Sequence, residues 1–113
     1  MSVTTLDALP AGYTIAGYEI TRTLGAGGFG ITYEAVNPVT RRRVAIKEFY
    51  PVGLARRGSC SHVAYSQADD GVIGWALEKL RSTTRLLCDL DHPNILRVLA
   101  YMPANSTGYM VME

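Results

Sequence analysis

A chain of 113 residues, of which 48% are hydrophobic and 19% charged, is long enough for one domain with a single core and too short for two. The formal net charge of +1 favours no polyanionic partner, so no nucleic acid is expected to bind. Two cysteines are too few for a disulfide framework and no apolar run approaches the roughly 20 residues of a membrane span, so we expect a cytoplasmic protein with no membrane contact in this segment.

The pattern of residues along the chain predicts three strands, one helix and two further strands. Residues 1–12 have no period and form an irregular lead-in, and order begins near Tyr13. The helix is expected at 72–90, after a long surface loop at 52–70. The strands are expected at 18–24, 29–36, 43–49, 95–101 and 108–113. The predicted fold is therefore α+β, a five-stranded antiparallel sheet with one main helix in the order βββαββ.

A glycine-rich segment, Gly25-Ala-Gly-Gly-Phe-Gly30, joins the first two strands and matches the pattern G-x-G-x-x-G. Dinucleotide-binding folds also use this pattern, but there a helix follows the glycines. Here the next residues, ITYEAV, alternate like a strand, which disfavours a dinucleotide enzyme. Glycines in a hairpin let backbone N–H groups approach phosphate oxygens because no Cβ intervenes. The segment indicates a flap over phosphates, with an ordinary glycine-rich hairpin as the alternative.

The third predicted strand contains a lysine in an apolar setting, Val44-Ala-Ile-Lys47. Burying an ammonium group is costly unless it reaches an anion, and a phosphate is the natural candidate. Ala45 lies on the same strand face as Lys47 and leaves room for a flat ring beside it. The alternative is that Lys47 extends into solvent at a sheet edge.

Taken together, these motifs resemble the protein kinase family, and the variants GGFGITY and VAIKEFYP resemble a bacterial serine/threonine kinase subgroup in particular. The motifs in chain order are GAGGFGITY, VAIK, a helix, HPNI at 92–95 and YMVME at 109–113. The resemblance covers residues 13–113 and implies the N-lobe of a kinase domain, which binds ATP. It also implies a longer parent protein that supplies the ligands of Mg²⁺ and acts on a protein substrate or binds a protein partner.

The resemblance further implies roles for individual residues. Lys47 would hold the α- and β-phosphates and is the candidate catalytic residue. Ala45 and Thr32 would line the adenine pocket. Met112 would be the gatekeeper at the back of that pocket, and Glu113 the first hinge residue. The implied nucleotide-binding set is Leu24, Gly25, Ala26, Gly27, Gly28, Phe29, Gly30, Thr32, Ala45, Lys47, Met112 and Glu113.

The sequence departs from the kinase pattern on its helix. The glutamate that pairs with the strand lysine in active kinases stands nine residues before the histidine of HPN, where this chain has Thr83. The helical period places Thr83 on the inward face. Glu78 lies about 140° round the helix from it, and Glu48 points to the opposite strand face from Lys47. Three explanations stay open: a pseudokinase, a kinase with an acid from elsewhere, and a different helix register.

The catalytic-loop and metal-binding motifs of the family are absent from these 113 residues. We therefore expect no phosphoryl transfer by this chain alone, with a pseudokinase or scaffold module as the alternative function. Apolar surface around the helix, Met110 and Met112 should be exposed and favour self-association. No metal site is expected, because the two cysteines and two histidines lack the spacing of zinc motifs.

Overall fold

The structure, a computed structural model, describes residues 7–28, 30–51, 53–57, 61–65, 70–94 and 96–113. Its elements are β1 (Thr14–Ile15), β2 (Tyr18–Ala26), β3 (Gly30–Val36), β4 (Arg43–Phe49), β5 (Ala55–Arg57), β6 (Val63–Tyr65), α1 (Asp70–Cys88), β7 (Val98–Ala104) and β8 (Thr107–Met112). Phe29, which the sequence predicts to be part of the phosphate flap, lies outside the described residues. The α+β class and the strand–helix–strand order are confirmed.

Six of the strands form one antiparallel sheet in the order β1-β2-β3-β4-β8-β7. This is one strand more than predicted, because Thr14–Ile15 pairs with the start of β2. The prediction of one long surface loop at 52–70 was wrong in part, since β5 and β6 pair there as a separate two-stranded sheet. Strands of two or three residues are too short to show an alternating pattern, so only their tertiary contacts reveal them.

The helix and the last hairpin lie one to three residues from their predicted bounds. Strand β7 runs through Pro103, which it tolerates because β7 is at the edge of the sheet and needs no N–H donor on its outer side. The turn into β8 is confirmed at Asn105 and Ser106, whose φ angles of 52° and 63° suit a two-residue hairpin turn. Tertiary pairing rather than local pattern sets these bounds.

The six-stranded sheet has two faces with different surroundings, because side chains alternate along each strand. The back face carries the core and is covered by the N-terminal segment, with Leu9 buried, and by the β5–β6 hairpin, with Val63 buried. The open face carries Lys47, which is exposed. The buried residues of the back face include Ile20, Ile31, Tyr33, Ala35, Val44, Ile46, Tyr109 and Val111.

Helix α1 lies against β7 and β8. Its inner side is a stripe of buried and half-buried residues at three- and four-residue spacing, while Val72, Trp75 and Leu86 are exposed on the outer side. A cavity of about 490 Å³ separates the end of the helix from Tyr101 and Pro103 of β7. Among the described residues, the structure contains no helix with the length and hydrophobicity of a membrane span.

Candidate functional site

The glycine-rich segment is the tip of the β2–β3 hairpin. The N–H of Gly27 donates to the carbonyl of Gly30 at 2.9 Å and closes the tip. Gly25 pairs with Thr32 across the two strands. A register shift at Leu24 marks a β-bulge just before Gly25. Because a strand and not a helix follows the glycines, the arrangement is that of a hairpin flap and differs from the strand–turn–helix of a dinucleotide fold.

Lys47 lies directly beneath this hairpin. It pairs across the sheet with Thr32 on one side and with Met110 on the other, so these three residues share the open face. A Cβ on Gly30 would lie 3.5 Å from Cε of Lys47 and 2.6 Å from the backbone oxygen of Glu48. Only glycine permits this approach, which brings the hairpin and the ammonium group together.

The residues implied for the adenine pocket adjoin Lys47 on the open face. Ala45 pairs with Met112 across β4 and β8, and both are half-buried. Glu113 is exposed, and its N–H donates to the carbonyl of Arg97 at 2.9 Å, which ties the end of β8 to the segment before β7. These positions form one surface with the glycine hairpin.

Ala26, one member of the implied set, is turned away from this surface. It pairs with Ile31, whose side chain is in the core of the back face. A cavity of about 190 Å³ is lined by Ala26, Gly27 and Ile31 and also borders Asp7 and Tyr50. Ala26 can therefore contribute only its backbone to the open face.

The prediction that Thr83 faces inward was wrong. Thr83 is exposed, whereas Thr84 is fully buried and donates its hydroxyl to the carbonyl of Leu80 at 2.7 Å. Both positions fit a 3.6-residue period after Leu80, so only packing against the sheet decides between them. The helix does not direct residue 83 into the core.

Among the described residues, Lys47 forms no ion pair. Glu78 pairs with Arg81 on the exposed side of α1 at 2.8 Å. Glu34 shares the open face but pairs with Arg22 at 3.3 Å. Neither carboxylate takes the place of the helix glutamate.

A buried polar cluster behind Lys47 was missed by sequence reasoning. Glu48 is fully buried on the back face, as its strand parity predicted, and its Oε1 accepts from the hydroxyl of Tyr33 at 2.7 Å. Its Oε2 accepts from the hydroxyl of Tyr109 and from Nη2 of Arg57. The signal was present in the sequence, because Glu48 continues the alternation of apolar residues along β4 and so had to be buried.

Arg57 links this carboxylate to the N-terminal segment. Its side chain is 5% exposed, its Nη1 donates to the carbonyl of Asp7 at 2.6 Å, and its guanidinium lies 5.3 Å from the ring centre of Tyr50. The N–H of Leu9 donates to the hydroxyl of Tyr33 at 3.0 Å. Residues that precede the predicted start of order are thus part of the cluster.

Asn105 extends the cluster to the β7–β8 turn. Its Nδ2 donates to the hydroxyl of Tyr109 at 2.9 Å. Its Oδ1 accepts from the hydroxyls of Ser61 at 3.0 Å and Tyr13 at 3.3 Å. The backbone N–H of Val63 donates to the Asn105 carbonyl at 2.8 Å. The turn, the accessory hairpin and the N-terminal segment are therefore joined through one polar network.

The buried tyrosines make stability sensitive to alkaline pH. Burial, and then the Glu48 carboxylate, raise the pKa of Tyr33 and Tyr109 above the ordinary value, and burial raises the pKa of Tyr50 to about 12. The folded state thus holds these protons more tightly than the unfolded chain, whose tyrosines titrate near pH 10. These groups should contribute their full stabilisation below about pH 10. Above that pH the free energy of unfolding should fall by about 1.4 kcal/mol per pH unit for each group.

Urea unfolding measured between pH 8 and pH 11 checks this expectation. The double variant Tyr33→Phe/Tyr109→Phe should lose stability less steeply above pH 10. An equal slope in the variant and the wild type would contradict it.

The chain is similar in sequence to serine/threonine protein kinases. It is 30% identical over 96 residues to serine/threonine-protein kinase SIK1 of Rattus norvegicus, which covers 85% of this chain and 10% of that protein. It is 32% identical over 114 residues to CBL-interacting serine/threonine-protein kinase 9 of Arabidopsis thaliana, covering 100% of this chain and 22% of that protein. No protein-family model matches.

Two solved structures have a similar fold over almost the whole chain. The apo form of PpkA-294 superposes with a TM-score of 0.89 at 33% identity and covers 95% of this chain and 38% of its own. A crystal structure of the Mycobacterium tuberculosis PknI kinase domain superposes with a TM-score of 0.65 at 25% identity, covering 94% of this chain and 36% of its own. The chain thus spans less than two fifths of each structure and about a fifth or less of the two curated relatives.

Proposed function

The chain belongs to the serine/threonine protein kinases and corresponds to the N-lobe of their kinase domain, and from that premise we propose that it binds ATP on the open face of its sheet. The main support is the approach of the glycine hairpin to Lys47. Backbone N–H groups of a hairpin tip and a nearby ammonium group both attract phosphate oxygens. An exposed lysine with no ion pair among the described residues leaves its charge available to such an anion.

Each part of the surface has a role in this proposal. Backbone N–H groups of the hairpin cover the phosphates, and Lys47 binds the α- and β-phosphates. Ala45 and Leu24 enclose the adenine ring, Met112 closes the back of its pocket, and the carbonyl of Glu113 accepts from the adenine amino group. Half-buried Ala45 and Met112 and partly exposed Leu24 suit apolar contact with a ring.

We further propose that Mg²⁺ and the protein substrate are held by other parts of a longer parent protein. Among the described residues, no group of three or more His, Cys, Asp or Glu side chains is arranged to hold a metal. The 113 residues also contain no HRD or DFG sequence. This chain by itself is therefore proposed to bind nucleotide without transferring its phosphoryl group.

Titration with ATP, followed by the backbone amide signals of the hairpin, tests the proposal. We expect a dissociation constant of about 1 mM, equivalent to about −4 kcal/mol, because half of a kinase nucleotide site is absent. Lys47→Met should weaken binding at least about tenfold, since a hydrogen bond to a charged group contributes about 1.5–3 kcal/mol. Lys79→Met is the matched control, because Lys79 is exposed on α1. Unshifted hairpin signals in the wild type would contradict the proposal.

A scaffold function is the second candidate, favoured by Thr83 and by the absence of an acidic partner for Lys47 among the described residues. In that case the longer parent would bind a protein partner without transferring phosphate. Phosphate transfer to protein by the wild-type parent would reject the scaffold, whereas partner binding without phosphate transfer would support it.

We also propose that the chain self-associates through α1. The exposed fractions of Val72, Trp75 and Leu86 are 60%, 66% and 70%, and large apolar side chains exposed to this extent favour burial against another molecule. The molar mass from light scattering should rise with concentration and fall back in Trp75→Gln. A constant monomer mass at high concentration would contradict this.

A further inference from the structure

The ion pair of Glu48 and Arg57 lies immediately behind Lys47, on the face of the sheet that the proposed ATP site does not use. Both side chains are almost fully buried, at 0% and 5% exposed. Burial alone lowers the pKa of a guanidinium, but the Glu48 carboxylate and the Tyr33 hydroxyl raise the pKa of Arg57 above its ordinary value, so the guanidinium stays charged. The lobe therefore keeps a charged pair where its neighbours on the back face are mostly apolar.

A buried ion pair contributes little net stability to a fold. Both ions lose their hydration, and apolar side chains of similar volume often stabilise a protein equally well or better. A purely structural purpose does not explain why charge is kept here. A requirement for fixed geometry does, because the donors around a buried carboxylate must occupy defined positions.

The donors to Glu48 come from the strands on both sides of β4. Tyr33 belongs to β3 and Tyr109 to β8, and the backbone pairs Glu48 with Ile31 and Tyr109 in the same two strands. Arg57 closes the arrangement from the accessory hairpin. The residue after Lys47 is thus fixed laterally by both neighbouring strands and from behind by the hairpin.

This fixation reaches the open face through one peptide unit. The carbonyl oxygen of Glu48 lies where it would contact a Cβ on Gly30, and Cε of Lys47 lies beside the same point. A shift or twist of β4 at Glu48 would therefore move the lysine stem relative to the glycine hairpin. Because side chains alternate along a strand, fixing Glu48 on the back face also fixes the direction in which Lys47 leaves the open face.

We propose that Glu48 and Arg57 are positioning residues for Lys47, which hold its ammonium group beneath the glycine hairpin from the opposite face of the sheet. The consequence for ATP rests on the proposed function. The position of Lys47 does not, because it can be measured without nucleotide.

The sequence provides an internal reference for that measurement, because Lys47 and Lys79 are its only lysines. The full chain is acetylated with an N-hydroxysuccinimide ester, and mass spectrometry gives the ratio of the Lys47 rate to the Lys79 rate. The decisive variant is Glu48→Leu/Arg57→Met, which replaces the ion pair by apolar side chains and should remain folded.

We expect this double variant to unfold at a temperature no lower than the wild type, yet to show a Lys47 to Lys79 ratio at least threefold higher and an ATP affinity at least tenfold lower. A stable double variant with an unchanged ratio would overturn the proposal, because a merely structural pair would then have been replaced without effect. If the double variant does not fold, Tyr109→Phe, which removes one donor to Glu48, should raise the ratio at least twofold, and an unchanged ratio there would also overturn it.

Failure of the ATP site gives a different result. A wild type that binds no ATP, together with a ratio that rises in the variants, would reject the proposed function and retain the positioning role.

Discussion

Replacing Arg57 with methionine is expected to lower the free energy of unfolding by about 3–5 kcal/mol, because the fully buried Glu48 carboxylate then loses its cation. The hydroxyls of Tyr33 and Tyr109 would still donate to the carboxylate, but two neutral donors do not offset a buried charge. For a domain of this size, a loss of 1 kcal/mol corresponds to about 4–8 °C in melting temperature. A fall of at least about 12 °C should therefore accompany the substitution.

Urea unfolding and thermal melts of the full chain check this result. Arg56→Met is the matched control, because Arg56 is the preceding residue of β5 and is exposed, and surface substitutions change stability by about 0.5 kcal/mol or less. Adding Glu48→Leu to Arg57→Met should return the stability at least to that of the wild type. A loss below about 1 kcal/mol in Arg57→Met, similar to that of the control, would contradict the burial of the pair.

Substituting Gly30 with alanine is expected to cost about 1–3 kcal/mol and to weaken ATP binding, because the new Cβ would lie 2.6 Å from the backbone oxygen of Glu48. The obstructing atom belongs to the paired strand β4, so it cannot move aside as a flexible side chain would. Relief requires β3 and β4 to separate at the point where Lys47 meets the hairpin. Stability and nucleotide affinity should therefore fall together.

Gly28→Ala is the control for the effect on stability, because a Cβ on Gly28 meets nothing within 4 Å. Melting temperature and ATP titration are measured for both variants and the wild type. Equal stability of Gly30→Ala and Gly28→Ala would show that the two strands are not in this close contact.

Much of the fold follows from local pattern. Strand β4 was predicted with its observed bounds, Arg43–Phe49, because it alternates over seven residues between clear turns. Helix α1 and the β7–β8 hairpin were predicted with small shifts, since a period identifies an element better than it identifies its ends. The short strands β1, β5 and β6 were not predicted, because two or three residues carry no period of their own.

The candidate site was likewise predictable only in part from the sequence. The glycine pattern and Lys47 were recognisable because phosphate binding constrains residue type at fixed spacing. The register of β2 against β3 turns Ala26 to the back face. The rotation of the helix against the sheet buries Thr84 rather than Thr83. Neither could be predicted from the local sequence. The roles of the implied nucleotide-binding residues stay predictions.

The sequence by itself determined that this is an α+β lobe with a glycine hairpin followed by a strand lysine, because residue type and spacing along one or two elements carry that information. Only the tertiary structure decided that Glu48 meets Arg57 behind that lysine and that residues 7–9 help to hold the pair. The physical reason is that a buried ion pair forms between segments whose sequences are locally ordinary, and it exists only once the sheet, the accessory hairpin and the N-terminal segment exclude water together.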